Sequence, residues 1–248
     1  MEINSAENKK FKTWMAYHQP KYRHRDQCFL VSGAHLLKEA FDAKRLLYQL
    51  VSIGTEPVVD DVETYYLAPS LMRRLNNRVS GDDVMGVVKM DNSDFKEAKR
   101  VVLLDGVQDP GNVGTIIRTA CSFNYDAIII SNETCDVYND KCVSASQGAL
   151  FHIKVVRQDL SEAIALLHKQ HFSVYATTLD TDCYLENVIN QEPMALVFGN
   201  EGKGVSESIQ RLCDTKIKIR MDGFESLNVA VAAGICLYHF RGGTSNDY

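Results

Sequence analysis

The 248-residue sequence has no apolar run close to the length of a membrane-spanning helix, which is roughly 20 residues. Its first twelve residues, MEINSAENKKFK, also have no apolar core of the kind found in signal peptides. These absences predict a soluble protein of the cytoplasm that does not contact a membrane. Hydrophobic residues make up 45% of the chain, which is ample for one large or two small packed domains.

Cysteine occurs seven times, an odd number, and never as a CxxC pair. Such scattered cysteines are typical of reduced thiols rather than of a disulfide framework or a zinc site. The histidines show no ligand spacing either, because His168 and His171 fall on an amphipathic stretch and are expected at the surface. We therefore expect no metal site.

Positive charge is also in deficit, since the net charge is −5. This argues against indiscriminate coating of nucleic acid, which depends on neutralising phosphates. Near the N-terminus, however, basic and aromatic residues alternate: Lys9, Lys10, Lys12, Trp14, Tyr17, Lys21, Tyr22, Arg23 and Arg25. This mixture suits RNA binding by phosphate contacts and base stacking, and it equally suits a solvated amphipathic helix.

The first 95 residues have the pattern of a small α/β domain behind a basic, partly helical arm at 1–27. Strands are predicted at 28–33, 50–53, 65–67 and 84–90, and helices at 35–48 and 71–78. The polar run 91–100 is the best candidate for a linker. We therefore predict a first domain over 1–95 and a second over 100–248.

Strands and helices alternate regularly in the second domain. Strands are predicted at 101–104, 127–131, 153–156, 172–177, 194–198 and 216–219, with helices between most of them. This alternation is typical of an α/β fold in which a parallel sheet carries helices on both faces. A last helix, 226–240, contains small residues that permit close packing, and Gly242 and Gly243 follow it.

The first strand of this domain leads into a loop with three glycines, in the stretch VVLLDGVQDPGNVGTIIRTA over 101–120. Such a loop turns sharply and aims backbone amides outward from a helix N-terminus, which suits an anion or a nucleotide-like ligand. Asn112 lies where an N-cap is wanted. Arg118 lies well inside the helix, where it is either a functional cation or an ordinary exposed residue.

Two further stretches have the same character, LVFGNEGKG at 196–204 and IKIRMDGFESLNVAVAAG at 217–234. The former is not a phosphate-binding Walker loop, because Val197 and Gly204 stand where that motif needs Gly and Ser or Thr. None of these loops spells GxGxxG. In the last stretch, Ser226 and Asn228 precede a helix that they could simply cap.

Taken in order, DPGNVGTIIRTA, LVFGNEGKG and MDGFESLNVAVAAG resemble the three signature motifs of the SpoU (TrmH-like) ribose methyltransferases of the SPOUT class. The resemblance covers 101–241 and includes SASQGALFHIKV at 144–155. The basic arm and FLVSGAHLLKEA resemble the ribosomal-protein-like RNA-binding domain that often precedes such a catalytic domain.

The resemblance implies methyl transfer from S-adenosylmethionine to a ribose 2′-hydroxyl of structured RNA, with ribosomal RNA favoured over transfer RNA. It also implies a C-terminal trefoil knot and a homodimer. The residues implied for cofactor binding are Thr177, Thr178, Gly199, Gly204, Ile219, Met221 and Leu227. The residues implied around the reacting ribose are Asn112, Arg118, Glu201, Ser226 and Asn228.

The chemistry of these groups limits their roles. Arg118 suits a phosphate contact that also stabilises a developing alkoxide, and it acts as a base only if the site lowers its pKa strongly. Glu201 either accepts hydrogen bonds from loop amides or acts directly at the cofactor or the arginine. One departure from the family pattern is Ile219-Arg220-Met221, where many members have Ile-Pro-Met.

Three alternatives remain open at this point. The chain could modify transfer RNA, or it could be a catalytically silent RNA-binding relative. A nucleotide-dependent oxidoreductase with a Rossmann-type sheet is disfavoured by the missing fingerprint.

Overall fold

The computed structural model describes residues 1–76, 82–91, 97–189, 191–223 and 226–241. The chain divides into two compact units. The first consists of Met1–Asp91 and Asp136–His152, and the second of Asn92–Cys135 and Ile153–Tyr248. Within the described ranges, every helix is too short or too polar to cross a membrane.

The secondary structure alternates along the chain. The strands are β1 (Glu2–Ile3), β2 (Cys28–Ser32), β3 (Leu46–Ser52), β4 (Thr64–Leu67), β5 (Val84–Lys89), β6 (Arg100–Asp105), β7 (Ala127–Ile130), β8 (Lys154–Arg157), β9 (Ser173–Thr177), β10 (Met194–Gly199) and β11 (Thr215–Ile217). The helices are α1 (Lys9–Ala16), α2 (Pro20–Asp26), α3 (Ala34–Asp42), α4 (Pro69–Asn76), α5 (Pro110–Ser122), α6 (Asp140–Ser146), α7 (Leu160–Lys169), α8 (Glu207–Gln210) and α9 (Val229–His239).

The first unit is built on a mixed five-stranded sheet in the order β1-β4-β3-β5-β2. Apolar residues of α1 and α4 pack with one face of this sheet in a common core. Helix α3 covers the opposite face, where a Cβ on Gly86 would lie close to Leu37 of that helix. The sheet is therefore sandwiched between helices.

The basic arm predicted at 1–27 is part of this folded core. Trp14 and Tyr17 are buried, and the Trp14 ring packs edge-on against Tyr65 with 5.1 Å between ring centroids. Arg23 is also buried, and its guanidinium pairs with Asp136 at 2.6 Å. The prediction that Trp14 and Tyr17 stack on RNA bases is wrong, because their apolar rings supply the core of a small unit.

The helix predicted at 35–48 is shorter than expected. It ends at Asp42, Lys44 adopts the left-handed conformation (φ 57°), and β3 begins at Leu46. The first residues of β3 have the apolar spacing of a helix, but they form a strand because β3 pairs with β4 and β5. The other predicted strands of this unit are confirmed, and residues 77 and 78 of the predicted helix 71–78 lie outside the described residues.

Residues 136–152 pack with the first unit, although the sequence prediction assigns them to the second domain. Phe29 of β2 contacts the rings of Tyr138 and Phe151, with centroids 4.8 and 6.2 Å away. Burial of these aromatic side chains accounts for the position of the segment.

The second unit holds a six-stranded sheet in the order β11-β9-β10-β6-β7-β8, and every pairing is parallel. All six predicted strands of this domain are confirmed. Residues of α7 and α8 pack in one core with alternate residues of the central strands, among them Val101, Leu103 and Val197. Helices α5 and α9 pack against each other, and α9 contacts β10.

Smaller predictions have mixed outcomes. All seven cysteines are free, and His168 and His171 are exposed, as expected. The last helix begins at Val229 rather than at 226, because Asn228 caps it. Residues 92–96 of the predicted linker, and Gly242 and Gly243, lie outside the described residues, and Arg100 already belongs to β6.

Candidate active site

The strand order of the second unit brings its glycine-rich loops together. β10 lies beside β6 in parallel register, so that Gly199 faces Asp105 at the carboxyl ends of the two strands. The loop that follows each strand therefore starts at the same edge of the sheet. A crevice at this edge is where open α/β sheets commonly bind ligands.

The loop after β6 leads into α5 through a proline. Asp109 is the N-cap of α5, since its carboxylate accepts a hydrogen bond from the Asn112 amide at 3.0 Å, and Pro110 follows at the first helical position. The prediction of Asn112 as N-cap is thus off by one turn. Because Asp109 caps the helix, the Asn112 side chain is available for contacts with the other loops.

The loop after β10 is a tight turn that requires glycine at Gly199. A Cβ at this position would lie 2.0 Å from the backbone of Gly204 and Val205. Asn200 and Gly204 exchange backbone hydrogen bonds of 3.0 and 2.9 Å, and the Asn200 side chain accepts from the amides of Gly202 and Lys203. The Asn200 side-chain amide also donates to the carbonyl of Gly106, which joins this loop to the first.

Glu201 at the tip of this turn holds the loop after β6. Its carboxylate accepts hydrogen bonds from the amides of Gln108 and Asp109 at 3.2 and 3.1 Å, and from the Asn112 side chain at 3.0 Å. Partial burial by itself would raise the pKa of Glu201, but these hydrogen bonds outweigh it and lower the pKa below its ordinary value. Glu201 is therefore an ionised acceptor at neutral pH.

The third motif joins this network through Asn228. The Asn228 side-chain oxygen caps α9 by accepting from the amides of Ala230 and Val231, at 2.9 and 3.3 Å. Its side-chain nitrogen donates to the Asn112 side-chain oxygen at 3.1 Å. Hydrogen bonds thus run from Glu201 through Asn112 to Asn228, and the predicted capping role of Asn228 is confirmed.

A cavity of about 510 Å³ opens beside this network. All seven residues predicted to bind the cofactor line it: Thr177, Thr178, Gly199, Gly204, Ile219, Met221 and Leu227. Glu201, Ser226 and Asn228 line it as well. The Thr177 hydroxyl is already used in the fold, since it donates to the carbonyl of Val197 at 2.8 Å.

Sequence reasoning missed several residues that line the cavity. Ala232 and Cys236 of α9, together with Phe198 and Ile217, provide apolar wall, and Lys218 provides a cation. The pair Ala232 and Cys236 carries a signal that could have been used, because residues four apart share one face of a helix. The position of Lys218 depends on β11 lying at the edge of the sheet beside β9.

Arg118 is not part of this cavity. It lies in the middle of α5 with its side chain exposed, and within the described ranges its guanidinium has no hydrogen-bond or ion-pair partner. The structure therefore brings together four of the five residues predicted around the ribose, with Asn112 held by its two neighbours, and leaves Arg118 apart.

A larger cleft of about 1160 Å³ adjoins the cavity on the other side of the 200–204 turn. Acidic and basic side chains are mixed on its walls, among them Asp159, Lys203 and Lys216. Of the seven residues predicted to bind the cofactor, Gly204 alone also lines this cleft. The predicted cofactor site is thus the smaller, more apolar cavity.

Comparison with known proteins gives consistent matches. The model of the SpoU rRNA Methylase family matches residues 99–238. The 23S rRNA (guanosine(2553)-2′-O)-methyltransferase RlmP of Bacillus subtilis is 35% identical over 97% of this chain and 99% of its own.

Solved structures agree over the full length. An AdoMet-bound rRNA methyltransferase from Sinorhizobium meliloti superposes with a TM-score of 0.87 at 27% identity, covering 97% of each chain. The SpoU methyltransferase AviRb from Streptomyces viridochromogenes, in complex with AdoMet, gives a TM-score of 0.86 at 28% identity, covering 94% of this chain and 97% of AviRb.

Proposed function

The chain belongs to the SpoU rRNA methylase family, and from that premise we propose that it methylates a ribose 2′-hydroxyl of ribosomal RNA with S-adenosylmethionine. The observation that carries the proposal is the hydrogen-bonded series Glu201, Asn112, Asn228 beside a cavity lined by every residue expected at the cofactor. A silent relative that only binds RNA would not need this arrangement. The protein is therefore an RNA 2′-O-methyltransferase.

The cavity fits the cofactor in size and chemistry. Its volume lies within the range of roughly 300–1,000 Å³ that is common for small-molecule sites. Apolar walls from Ile219, Leu227 and Ala232 suit an adenine ring, and the ionised Glu201 favours a cationic sulfonium. When bound, S-adenosylmethionine supplies the electrophilic methyl group.

The residues around the ribose would align the hydroxyl for an in-line displacement. Alignment of this kind can supply roughly 7–11 kcal/mol of the barrier. Asn112 is suited to this role because Glu201 and Asn228 fix its side chain from two sides. Ser226 lines the cavity next to Leu227 and is placed to orient the nucleotide or the cofactor loop.

We infer that Arg118 completes the site of a partner subunit in a homodimer. Helix α9 is apolar on nearly all sides, and Val231, Ile235 and Tyr238 are 52%, 40% and 53% exposed on one of its faces. An apolar helix face of this kind is normally covered. Thr119, next to Arg118, lies against Gly234 of α9, so a partner covering this face would also meet Arg118.

The role proposed for Arg118 is to bind a phosphate of the RNA and to stabilise the alkoxide as it develops. It would act as the base only if the assembled site stabilised its neutral form, because a guanidinium is normally charged in proteins. Mixing two inactive variants, one changed at Arg118 and one in the cavity, tests whether the site is shared between subunits.

We also infer a trefoil knot in the C-terminal part of the second unit. Two backbone hydrogen bonds, Lys218 to Cys183 and Leu185 to Lys218, tie the chain after β11 to the segment after β9. The His239 ring lies 3.1 Å from the carbonyl of Val188, while α9 packs on β10. The C-terminal chain therefore contacts both the segment after β9 and strand β10. Contacts of this kind are expected where a chain end passes through a loop.

The first unit is proposed to bind the RNA substrate, with ribosomal RNA favoured because it is the substrate named for the RlmP relative. Seven free cysteines suit a reducing compartment, which supports a cytoplasmic enzyme. The decisive experiment maps 2′-O-methyl sites across total RNA from cells with and without the gene. Loss of one mark in large-subunit ribosomal RNA is expected, and loss of a mark only in transfer RNA would overturn the choice of substrate.

Calorimetry tests the cofactor independently of RNA. The protein is expected to bind S-adenosylmethionine and not NADH. Binding of NADH alone would instead support an oxidoreductase that uses the larger cleft at the carboxyl ends of the strands.

A further inference from the structure

Two helices of the first unit carry basic residues and no acidic ones. Helix α1 reads KKFKTWMA and helix α4 reads PSLMRRLN. Their apolar sides pack into one core on the same face of the five-stranded sheet, which leaves their polar sides on the outer surface of that face. We call four of their exposed basic residues the α1–α4 basic surface: Lys9, Lys12, Arg73 and Arg74.

Basic residues of both helices lie close enough to act on the same carboxylate. The pKa of Glu7 is lowered by a hydrogen bond and the charge of Lys12, and further by the charge of Arg74. Cations from α1 and from α4 therefore act on the same carboxylate. Glu7 pairs with Lys12, and Glu63 pairs with Lys10. Lys9, Arg73 and Arg74 remain exposed cations on this surface, although the whole chain has a net charge of −5.

The position of Lys9 does not serve the stability of α1. Asn8 caps this helix, and Lys9 and Lys10 occupy its first turn, where a positive charge opposes the helix dipole. The amine of Lys10 is used within the unit, at Tyr65 and Glu63. In the described ranges Lys9 has no such partner, so its ammonium group is available to an anion outside the chain.

The opposite face of the sheet shows no such bias. Helix α3, which covers it, reads AHLLKEAFD and mixes Lys38 with Glu39 and Asp42. The excess of positive charge is therefore confined to the face of the first unit that α1 and α4 cover.

We propose that the α1–α4 basic surface binds the phosphate backbone of double-stranded RNA. The aromatic side chains of these two helices, Phe11 and Trp14, are buried, so neither helix offers a ring for stacking on splayed bases. Recognition here is therefore by charge and shape, independent of sequence. The inference rests on the proposed function and names the part of the RNA that the first unit holds.

The test measures binding of a random-sequence 20-base-pair RNA duplex by fluorescence anisotropy over a range of KCl concentrations. The double variant Lys9→Glu, Arg73→Glu is expected to bind at least tenfold more weakly, and the slope of log K against log[salt] should fall by about 2. The matched control is Lys38→Glu, Lys44→Glu, which makes the same charge change with residues of α3 and the turn after it and should bind within twofold of wild type.

Folding and binding should respond in opposite directions. Lys9→Glu places an acid in the first turn of α1, which favours the helix, so its thermal midpoint should be no lower than that of wild type. Weaker duplex binding by a variant of equal or greater stability cannot result from unfolding.

Equal losses in the two double variants would overturn the proposal, as would undiminished binding by Lys9→Glu, Arg73→Glu. Binding of that surface to anionic phosphatidylglycerol vesicles but not to the duplex would assign it to a membrane and also overturn it. Failure of the proposed function is distinguishable, because then the wild-type protein would bind the duplex and yet methylate no RNA.

Discussion

The side-chain nitrogen of Asn228 donates a hydrogen bond of 3.1 Å to the side-chain oxygen of Asn112, across 116 positions of sequence. This contact links the N-terminus of α9 to the first turn of α5. Because Asn112 also donates to Glu201, its amide group can have only one orientation. A fixed orientation is what a residue that positions a reacting hydroxyl needs.

Glu201→Gln should reduce kcat/KM about 10- to 100-fold and lower the thermal midpoint by a few degrees. The three groups facing Glu201 are all donors, and a glutamine would turn its own donor toward at least one of them. Loss of a hydrogen bond to a charged acceptor costs about 1.5–3 kcal/mol. Glu207→Gln on α8 is the control, because Glu207 is exposed and pairs with the exposed Arg211. Activity of Glu201→Gln equal to that control would contradict the role assigned to the carboxylate.

Gly199→Ala should strongly destabilise the second unit and abolish binding of S-adenosylmethionine in calorimetry. The added Cβ would lie 2.0 Å from the backbone of Gly204 and Val205, and backbone cannot move aside as a side chain can. Gly202→Ala in the same turn is the matched control for stability, since its Cβ would lie 3.7 Å from its nearest neighbour. A wild-type thermal midpoint for Gly199→Ala would show that the turn is more tolerant than its geometry indicates.

Arg118→Ala should nearly abolish methylation while changing cofactor affinity by no more than a few fold, because Arg118 lies outside the cavity of its own chain. Mixing this variant with Ala232→Phe, which fills the cavity, should restore partial activity through heterodimers. Arg211→Ala, which changes another exposed arginine on the same unit, should retain full activity. Absence of any recovery in a mixture shown to contain heterodimers would exclude a site shared between subunits.

The first unit should become less stable as the pH rises above about 6.5. One ring nitrogen of His18 lies 3.3 Å from Asp140 and the other 2.8 Å from the carbonyl of Leu75, so both must donate and the ring must be charged. The hydrogen bond to Asp140 raises the pKa of His18, against the opposing effects of burial and of Arg23. Because the pKa of His18 is higher in the folded protein than in the unfolded chain, protonation stabilises the fold. This stabilisation is complete at a pH below the pKa of the unfolded chain and is lost as the pH rises through the pKa of the folded protein.

Urea unfolding at pH 6 and pH 8.5 measures this effect. His18→Gln should make the pH-dependent difference smaller, whereas His171→Gln, an exposed histidine, should leave it unchanged. An identical pH dependence in wild type and His18→Gln would contradict a charged His18.

Deleting residues 1–91 should yield an aggregation-prone chain rather than a stable catalytic domain. The deletion removes Phe29, which covers Tyr138 and Phe151, and Arg23, which pairs with Asp136. Replacing 136–152 with a short polar linker in the same truncation should restore a monodisperse protein by size-exclusion chromatography. A soluble, cooperatively folding 92–248 chain with its natural 136–152 segment would contradict this expectation.

Much of the second unit could be predicted from local pattern. Apolar runs of four or five residues mark β6, β7 and β10, and shorter or interrupted apolar stretches between helical segments mark β8, β9 and β11. The motif residues also identified the wall of the cavity, since all seven predicted positions line it. These predictions succeed because a buried parallel strand and a glycine turn each impose their requirements on consecutive residues.

Other features depend on contacts distant in sequence. The residues next to Trp14 in the sequence are compatible with a ring that stacks on RNA and with a ring that packs in the core. The packing of α1 on the sheet places the ring against Tyr65. Segment 136–152 follows a strand of the second unit in the sequence, yet it packs in the first unit. There Tyr138 is buried against the ring of Phe29.

The sequence by itself determined the six strands of the second unit, its glycine-rich turns and the three motifs that we assign to the site. Only the tertiary structure decided that Asp109 rather than Asn112 caps α5, that Glu201 and Asn228 hold Asn112, and that Arg118 stands apart from the cavity. The physical reason is that the hydrophobic periodicity of a sequence shows which side chains are buried. The residue that a side chain contacts depends instead on the order of the strands in the sheet. Here β10 lies beside β6, and that adjacency brings Glu201 to Asn112.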